Sequence, residues 1–349
     1  MPTKPVVARS AAAVAVVRRM APMIALAASL AVSPVGGAAS AAAAAGAAGE
    51  DTATPGAEAA AVSQVEWPAK NLSRIGVVSA FEPEWQSLKA DLSDAETVRI
   101  NGVDFVTGKL AGKDVVLFLS GVSMVNAAMT TQLALDRFGI EAIVFSGIAG
   151  GVDPALDIGD VVVADRWAQY LEAVFARKDG EDWKLPSYAK RAMPNHGMIF
   201  PQPVEVRSRR AETAEEIFWF EADGTLLNVA RQVAGKVALE RCAGEACLTR
   251  APHVVVGGSG VSGPVFVDNA EFRQYVAEAF DASVLDMESA AVAHVAYANA
   301  VPFIAFRSLS DLAGGGEGEN EMATFFALAS ENSARVVKAF VAAMPTGGK

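Results

Sequence analysis

Short apolar runs bounded by small or polar residues alternate along this chain with stretches whose apolar positions recur at helical spacing. Residues 74–80, Arg-Ile-Gly-Val-Val-Ser-Ala, read as a buried strand, and helical spacing follows over 84–92. Two strands are predicted at 103–110 and 114–120 around the turn Ala111-Gly112-Lys113. Val125, Ala128, Met129, Leu133 and Leu135 fall on or near one face of a helix over 124–138. A buried strand is predicted at 142–146, closed by a glycine turn at 147–151, and another at 160–164. Residues 165–252 carry little pattern beyond a helix at 226–239. Alternation returns with a strand at 253–257, a helix at 270–278, a strand at 283–286, a helix at 288–298, a strand at 302–307 and a closing helix over 321–343. Apolar strands alternating with helices predict an α/β layered domain around a largely buried sheet.

The first sixty residues break this pattern. Lys4, Arg9, Arg18 and Arg19 precede the apolar run 23–32, and small residues follow from Gly36. A basic start, a short apolar core and small residues make an export signal, with cleavage expected within 38–48. The run is shorter than the roughly 20 residues a membrane span needs. The expected organisation is a signal over 1–45, a flexible linker over 46–68, and one domain over 69–349 with an atypical insertion at about 165–252. The protein is therefore expected in the periplasm or outside the cell, with no stable membrane span once the signal is removed.

The chain carries 29 Lys+Arg, 40 Asp+Glu and a net charge of −11. Residues 1–49 hold four of the basic residues and no acid, which leaves 25 basic against 40 acidic, a net charge near −15. Such a surface repels phosphate backbones, so a nucleic-acid polymer is excluded as the expected partner and a small neutral or zwitterionic ligand is not. Cys242 and Cys247 have no neighbouring histidine to complete a metal site. They are either two free thiols or a small disulfide loop, and export favours the disulfide.

Three polar clusters sit at predicted strand ends: Ser79-Ala-Phe-Glu-Pro-Glu84, Leu285-Asp-Met-Glu-Ser289 and Arg307-Ser-Leu-Ser-Asp311. Ligands of α/β sheets bind outside the carboxyl ends of strands, so the clusters can converge. Each also has a purely structural account. Glu82, Glu84 and Glu288 suit helix N-termini, and Asp311 can cap a loop or pair with Arg307. The glycines of 147–151 can simply make a turn.

In their order and wording, Ala-Phe-Glu-x-Glu, Ser-Gly-Ile-Ala-Gly-Gly, Asp-Met-Glu-Ser-Ala-Ala-Val-Ala-His and Phe-Arg-Ser-Leu-Ser-Asp resemble the nucleoside phosphorylase/nucleosidase superfamily. The nearest branch is the methylthioadenosine/S-adenosylhomocysteine nucleosidases, over about 74–164 and 253–340. The resemblance implies a three-layer αβα sandwich with a mixed central sheet, no cofactor or metal, a small purine nucleoside as ligand, and a homodimer or larger homo-oligomer. It implies Asp311 as the acid at the purine N7 and Glu84 as the carboxylate that activates water. It implies Glu288 on the ribose hydroxyls, Met287 against the sugar, Phe266 and Val267 at the base, Gly150 near the nucleoside, and Ser310 and Arg307 beside the acid or the water. This chain departs from the pattern at Ile148, where a small hydroxyl residue is common, and at Asp286, one methylene shorter than the frequent Glu.

A phosphorylase would need cationic groups at the attacking anion, but the first cluster is acidic and 143–146 has no arginine. Water is therefore expected as the nucleophile. Phosphate-dependent cleavage and a non-catalytic exported nucleoside-binding protein are the alternatives. Trp85 and His294 are read as core residues. Trp183, Tyr188 and Trp219 are read as holding the insertion together rather than covering a pocket.

Overall fold

The computed structural model describes residues 72–316 and 318–345. The expected signal and linker lie outside the described residues. The described residues all belong to one compact unit. Its centre is a mixed sheet of twelve strands. In chain order these are β1 (Ser73–Ser79), β2 (Ser93–Ile100), β3 (Val103–Leu110), β4 (Lys113–Leu119), β5 (Gly139–Gly151), β6 (Val161–Val163), β7 (Arg166–Gln169), β8 (Phe220–Glu221), β9 (Val254–Val256), β10 (Ser259–Ser262), β11 (Ala282–Asp286) and β12 (Phe303–Asp311). The principal path runs β8-β7-β10-β11-β5-β1-β4-β3-β2. β12 lies parallel to β5 and antiparallel to β6, which is paired with β9.

Two helical layers cover this sheet, and the strands alternate accordingly. Val78, Ile143, Phe145, Phe303 and Ala305 pack on the side of α2 (Met124–Arg137) and α5 (Ser289–Asn299). Val77, Ala142, Val144, Ile304 and Phe306 pack on the side of α1 (Glu82–Ala90), α3 (Gly224–Ala234) and α6 (Met322–Ala343). Both faces are dry, which is why the strands read as continuous apolar runs. α4 (Ala270–Phe280) closes a third, smaller core over β10 and β11. The three-layer αβα architecture is the one expected.

Two expected boundaries are corrected. The glycines at 147–151 do not turn the chain: β5 continues through them, paired with β12 and then with β11. The strand expected to stop at 307 continues to Asp311. Near its end, Ser310 and Asp311 together oppose Gly150, a bulge that re-aims the last side chains. The expected insertion is not separate from the fold either. Its first residues form β7, β8 pairs with β7, and α3 packs on α6 but stops at Ala234 rather than Leu239. The remainder consists of small two-stranded pairings.

One of those pairings is the hairpin in which Cys242 and Cys247 form a disulfide. Arg241 secures its base by donating to the carbonyls of Leu248 and Thr249. So short a closed loop contributes about 2 kcal/mol on chain-entropy grounds. Replacing both cysteines with serine should lower the melting temperature by a few degrees, and a thermal melt with and without reductant checks it. A loss of the folded state would show that the hairpin anchors far more than its own loop.

Candidate active site

The carboxyl ends of β1, β11 and β12 open beside the glycine half of β5, and a cavity of about 220 Å³ lies there. Glu84, Gly150, Phe266, Val267, Met287, Glu288, Ser310 and Asp311 all line it. Arg307 does not. Its side chain is fully buried behind the carboxylates, so the place expected for it beside the acid or the water is corrected to a supporting position. Phe81, Val122, Ile148, Val265 and Met322 complete a largely apolar lining, and Asp286 joins the acids. Val122, Val265 and Met322 lie outside the motifs, so only the fold locates them. Trp183, Tyr188 and Trp219 are not part of the lining. Trp219 instead stacks under Arg166 and packs on Phe218 and Phe280. Glu82 also stays outside, bonded to Gln86 on α1.

Each acid is held by the element that carries it. Glu84 folds back at the start of α1 to accept the backbone N–H groups of Ala80 at 2.6 Å and Phe81 at 3.2 Å, donors that a helix start leaves free. Its other oxygen accepts Ile148 N–H at 2.8 Å across the sheet. Asp286 ends β11 and caps α5: one oxygen accepts the N–H groups of Glu288 and Ser289, each at 3.1 Å, and the hydroxyl of Ser262. Glu288 accepts Ser123 N–H at 2.8 Å, which brings the start of α2 to the cavity.

Arg307 stands among all three. Its Nε is 2.8 Å from Asp286 Oδ2, its Nη2 3.5 Å from Glu288 Oε2 and its Nη1 3.9 Å from Glu84 Oε1. It also donates to Ser289 Oγ at 2.9 Å and to the Ile148 carbonyl at 3.1 Å, over the Phe145 ring at 3.9 Å. Gly147 makes the room. A Cβ there would lie 2.1 Å from Arg307 Nη1 and 2.8 Å from Glu84 Oε1. The glycine motif thus serves close packing of a buried cation rather than a turn.

Burial dominates the electrostatics of the cavity acids. Burial raises the pKa of Glu84, against the lowering effects of Arg307 and of three backbone N–H donors. Burial also pushes Glu288 up to about 7; the charges of Asp286 and Glu84 add to the rise, while Arg307 and the Ser123 N–H oppose it. Asp311 lines the same cavity beside Gly150 and Ser310. It accepts Ala313 N–H at 2.8 Å on one oxygen and Ser310 Oγ at 2.9 Å on the other. Burial again raises its pKa, the negative charge of Asp268 adds to the rise, and its hydrogen-bond donors lower it. One cavity thus holds a buried carboxyl, Asp311, that keeps its proton longer than usual and three further acids gathered around a shared cation. Such a set can donate a proton to one end of a ligand and take one at the other.

Comparison with known proteins agrees with this arrangement. The family model for the phosphorylase superfamily matches residues 74–342. A 5′-methylthioadenosine/S-adenosylhomocysteine nucleosidase of Tolumonas auensis is 30% identical, with 77% of this chain and 98% of the relative covered. One of Marinomonas sp. is 32% identical, over 76% and 97% respectively. Among solved structures, the Neisseria meningitidis nucleosidase in complex with methylthio-immucillin-A matches with a TM-score of 0.58 and 25% identity, over 78% of this chain and 100% of that one. The Colwellia psychrerythraea nucleosidase with adenine matches at 0.59 and 26%, over 77% and 95%. With the fold, the order of its motifs and these relatives in agreement, the chain belongs to the phosphorylase superfamily and, within it, to the 5′-methylthioadenosine/S-adenosylhomocysteine nucleosidase family of N-glycosidases.

Proposed function

We propose that this chain hydrolyses the N-glycosidic bond of a purine nucleoside of the methylthioadenosine/S-adenosylhomocysteine type. The observation that carries this reading is the acidic cavity: among the described residues no Lys or Arg lines it, and the nearest guanidinium is already surrounded by three carboxylates. An attacking phosphate would meet repulsion there, whereas water would meet hydrogen-bond acceptors. Asp311 gives its proton to N7 as the C1′–N9 bond breaks, so the base leaves uncharged. Glu84 takes a proton from the water that bonds to C1′. Glu288 accepts the ribose hydroxyls, and its charge favours the cationic sugar of the transition state. Phe266 and Val267 flank the base, and Met287 packs on the sugar. Phe81, Val122 and Met322 offer apolar surface for a 5′ substituent.

Two further parts of the reading concern location and assembly. The leader pattern and the disulfide support export to the periplasm or beyond. Val122, Val125 and Met129, at and inside the start of α2, and Val265 and Phe266 at the cavity mouth expose large apolar side chains. That surface supports a homodimer.

Base release from a panel of purine nucleosides tests the activity, first in phosphate-free buffer and then with phosphate added. Adenine release without phosphate is expected, and Asp311→Asn should lower kcat by about 10²–10⁴ while KM moves little. Release that strictly requires phosphate would make the chain a phosphorylase, and nucleoside binding without release a binding protein. The pH profile tests the sugar contact. Glu288 must be ionised to accept two hydroxyls, and its pKa is raised to about 7, so kcat/KM is lost as pH falls. The decline below that point should be about tenfold per pH unit. Glu288→Gln should abolish this limb and weaken discrimination for ribose over 2′-deoxyribose; an unchanged limb would remove Glu288 from the role. Mass spectrometry of the periplasmic fraction should find a chain that starts within 38–48, and a chain found only inside the cell with residues 1–37 intact would overturn export.

A further inference from the structure

On the acid's wall of the cavity, one side chain joins three separate pieces of the chain. Asn320 Nδ2 donates to Asp268 Oδ1 at 3.0 Å and reaches Asp311 Oδ1 at 3.4 Å. Its own Oδ1 accepts the backbone N–H of Met322 at 2.9 Å, at the first residue of α6. Asp311 ends β12. Asp268 directly follows Val267, the last cavity-lining residue of the base segment, and Met322 itself lines the cavity. A second tie runs alongside, from Asn269 N–H to the Ala313 carbonyl at 3.1 Å. The two segments press so closely that a Cβ at Gly314, whose φ is +85°, would stand 2.3 Å from the Asn269 nitrogen.

The chemistry of the junction selects an amide. Between two carboxylates only a donor is stabilising, and the helix start needs an acceptor. Asn supplies both from one side chain. An aspartate of the same shape would add a third negative charge. Asp311 Oδ1 already receives Ala313 N–H and the Asn320 amide, so its lone pairs are occupied. The acidic proton is then carried on Oδ2, whose partner Ser310 Oγ is a rotatable hydroxyl that can accept as well as donate.

We propose that Asn320 is a positioning residue for the acid: it fixes the Asp311 carboxyl relative to the base segment, so that the purine seats with N7 at Asp311 Oδ2. This rests on Asp311 being the acid of the reaction. Asp268 is the charged group that acts on Asp311, and Asn320, Ser310 and the Ala313 N–H are its donors. Asn320 favours the ionised carboxylate and Asp268 disfavours it. Their removal must therefore move the acid's titration in opposite directions.

The test follows kcat against pH, and adenine affinity against pH, for the wild-type chain, Asn320→Ala and Asp268→Asn. Activity that needs a protonated Asp311 is lost as pH rises. In Asn320→Ala this high-pH limb should move up by about 0.5 pH unit or more, with kcat reduced about tenfold. In Asp268→Asn it should move down. Asn320→Ser, which keeps a small donor, should restore part of the shift, and it replaces the alanine variant if that chain does not fold. Limbs that stay in place in both variants, or that move in the same direction, overturn the proposal. If the wild-type chain releases no base at all, the nucleosidase reading fails by itself, and the adenine titration still reads the acid and decides the role of Asn320.

Discussion

A guanidinium taken out of water has to find compensating charge, and Arg307 finds it on three different elements. Glu84 comes from the start of α1, Asp286 from the end of β11 and Glu288 from the start of α5, all within 2.8–3.9 Å of its nitrogens. An unpaired charge at full burial costs several kcal/mol, so no one of these elements can retreat without exposing the others to that cost. The sequence clusters near residues 84, 286 and 307 meet because one cation requires it. Their excess of negative charge is then left facing the cavity. The same interaction that closes the core thus supplies the electrostatics of the site.

That dependence explains how much of the chain was readable in advance. Strands such as 74–80 and 142–146 were legible because both faces are buried, so apolar content alone marks them. The carboxylates were legible because a motif records them. The continuation of β5 through 147–151 was not, since glycines there look like a turn. What they provide is absence of bulk: Gly147 under the guanidinium and Gly150 3.1 Å from Ala313 and 3.3 Å from the Asp311 carboxylate, measured to an imagined Cβ. Spatial economy of that kind leaves no trace in periodicity. The misplacement of Arg307 has a similar cause. An arginine four residues before Asp311 suggests a place beside that acid or the water, and only the structure shows that its partners are Glu84, Asp286 and Glu288. β2, whose residues are mostly exposed, gave no apolar signal at all.

The two walls of the cavity use burial for different ends. Around Arg307, crowded carboxylates make ionisation expensive, and the cation offsets part of that expense. At Asp311, among the described residues, hydrogen-bond donors and the charge of Asp268 act in place of a cation. Its proton is therefore retained without a cation to drive it off. Burial raises all of these carboxyls, and what differs is the charge that acts on each: Arg307 opposes the rise at Glu84 and Glu288, and Asp268 adds to it at Asp311.

The bulge at Ser310 and Asp311 is what lets these walls face one another. With regular pairing, consecutive side chains of a strand point to opposite faces, and a residue following Arg307 by four would share its direction only within a straight ladder. Two residues opposed to Gly150 break that ladder. Arg307 can then stay buried behind Glu84, Asp286 and Glu288 while Asp311, from the same strand, opens on the cavity. A single strand thereby holds the cation of one wall and the acid of the other. Their separation is set by backbone pairing with β5 rather than by loops, which is the rigidity that the proposed proton delivery and water attack would demand.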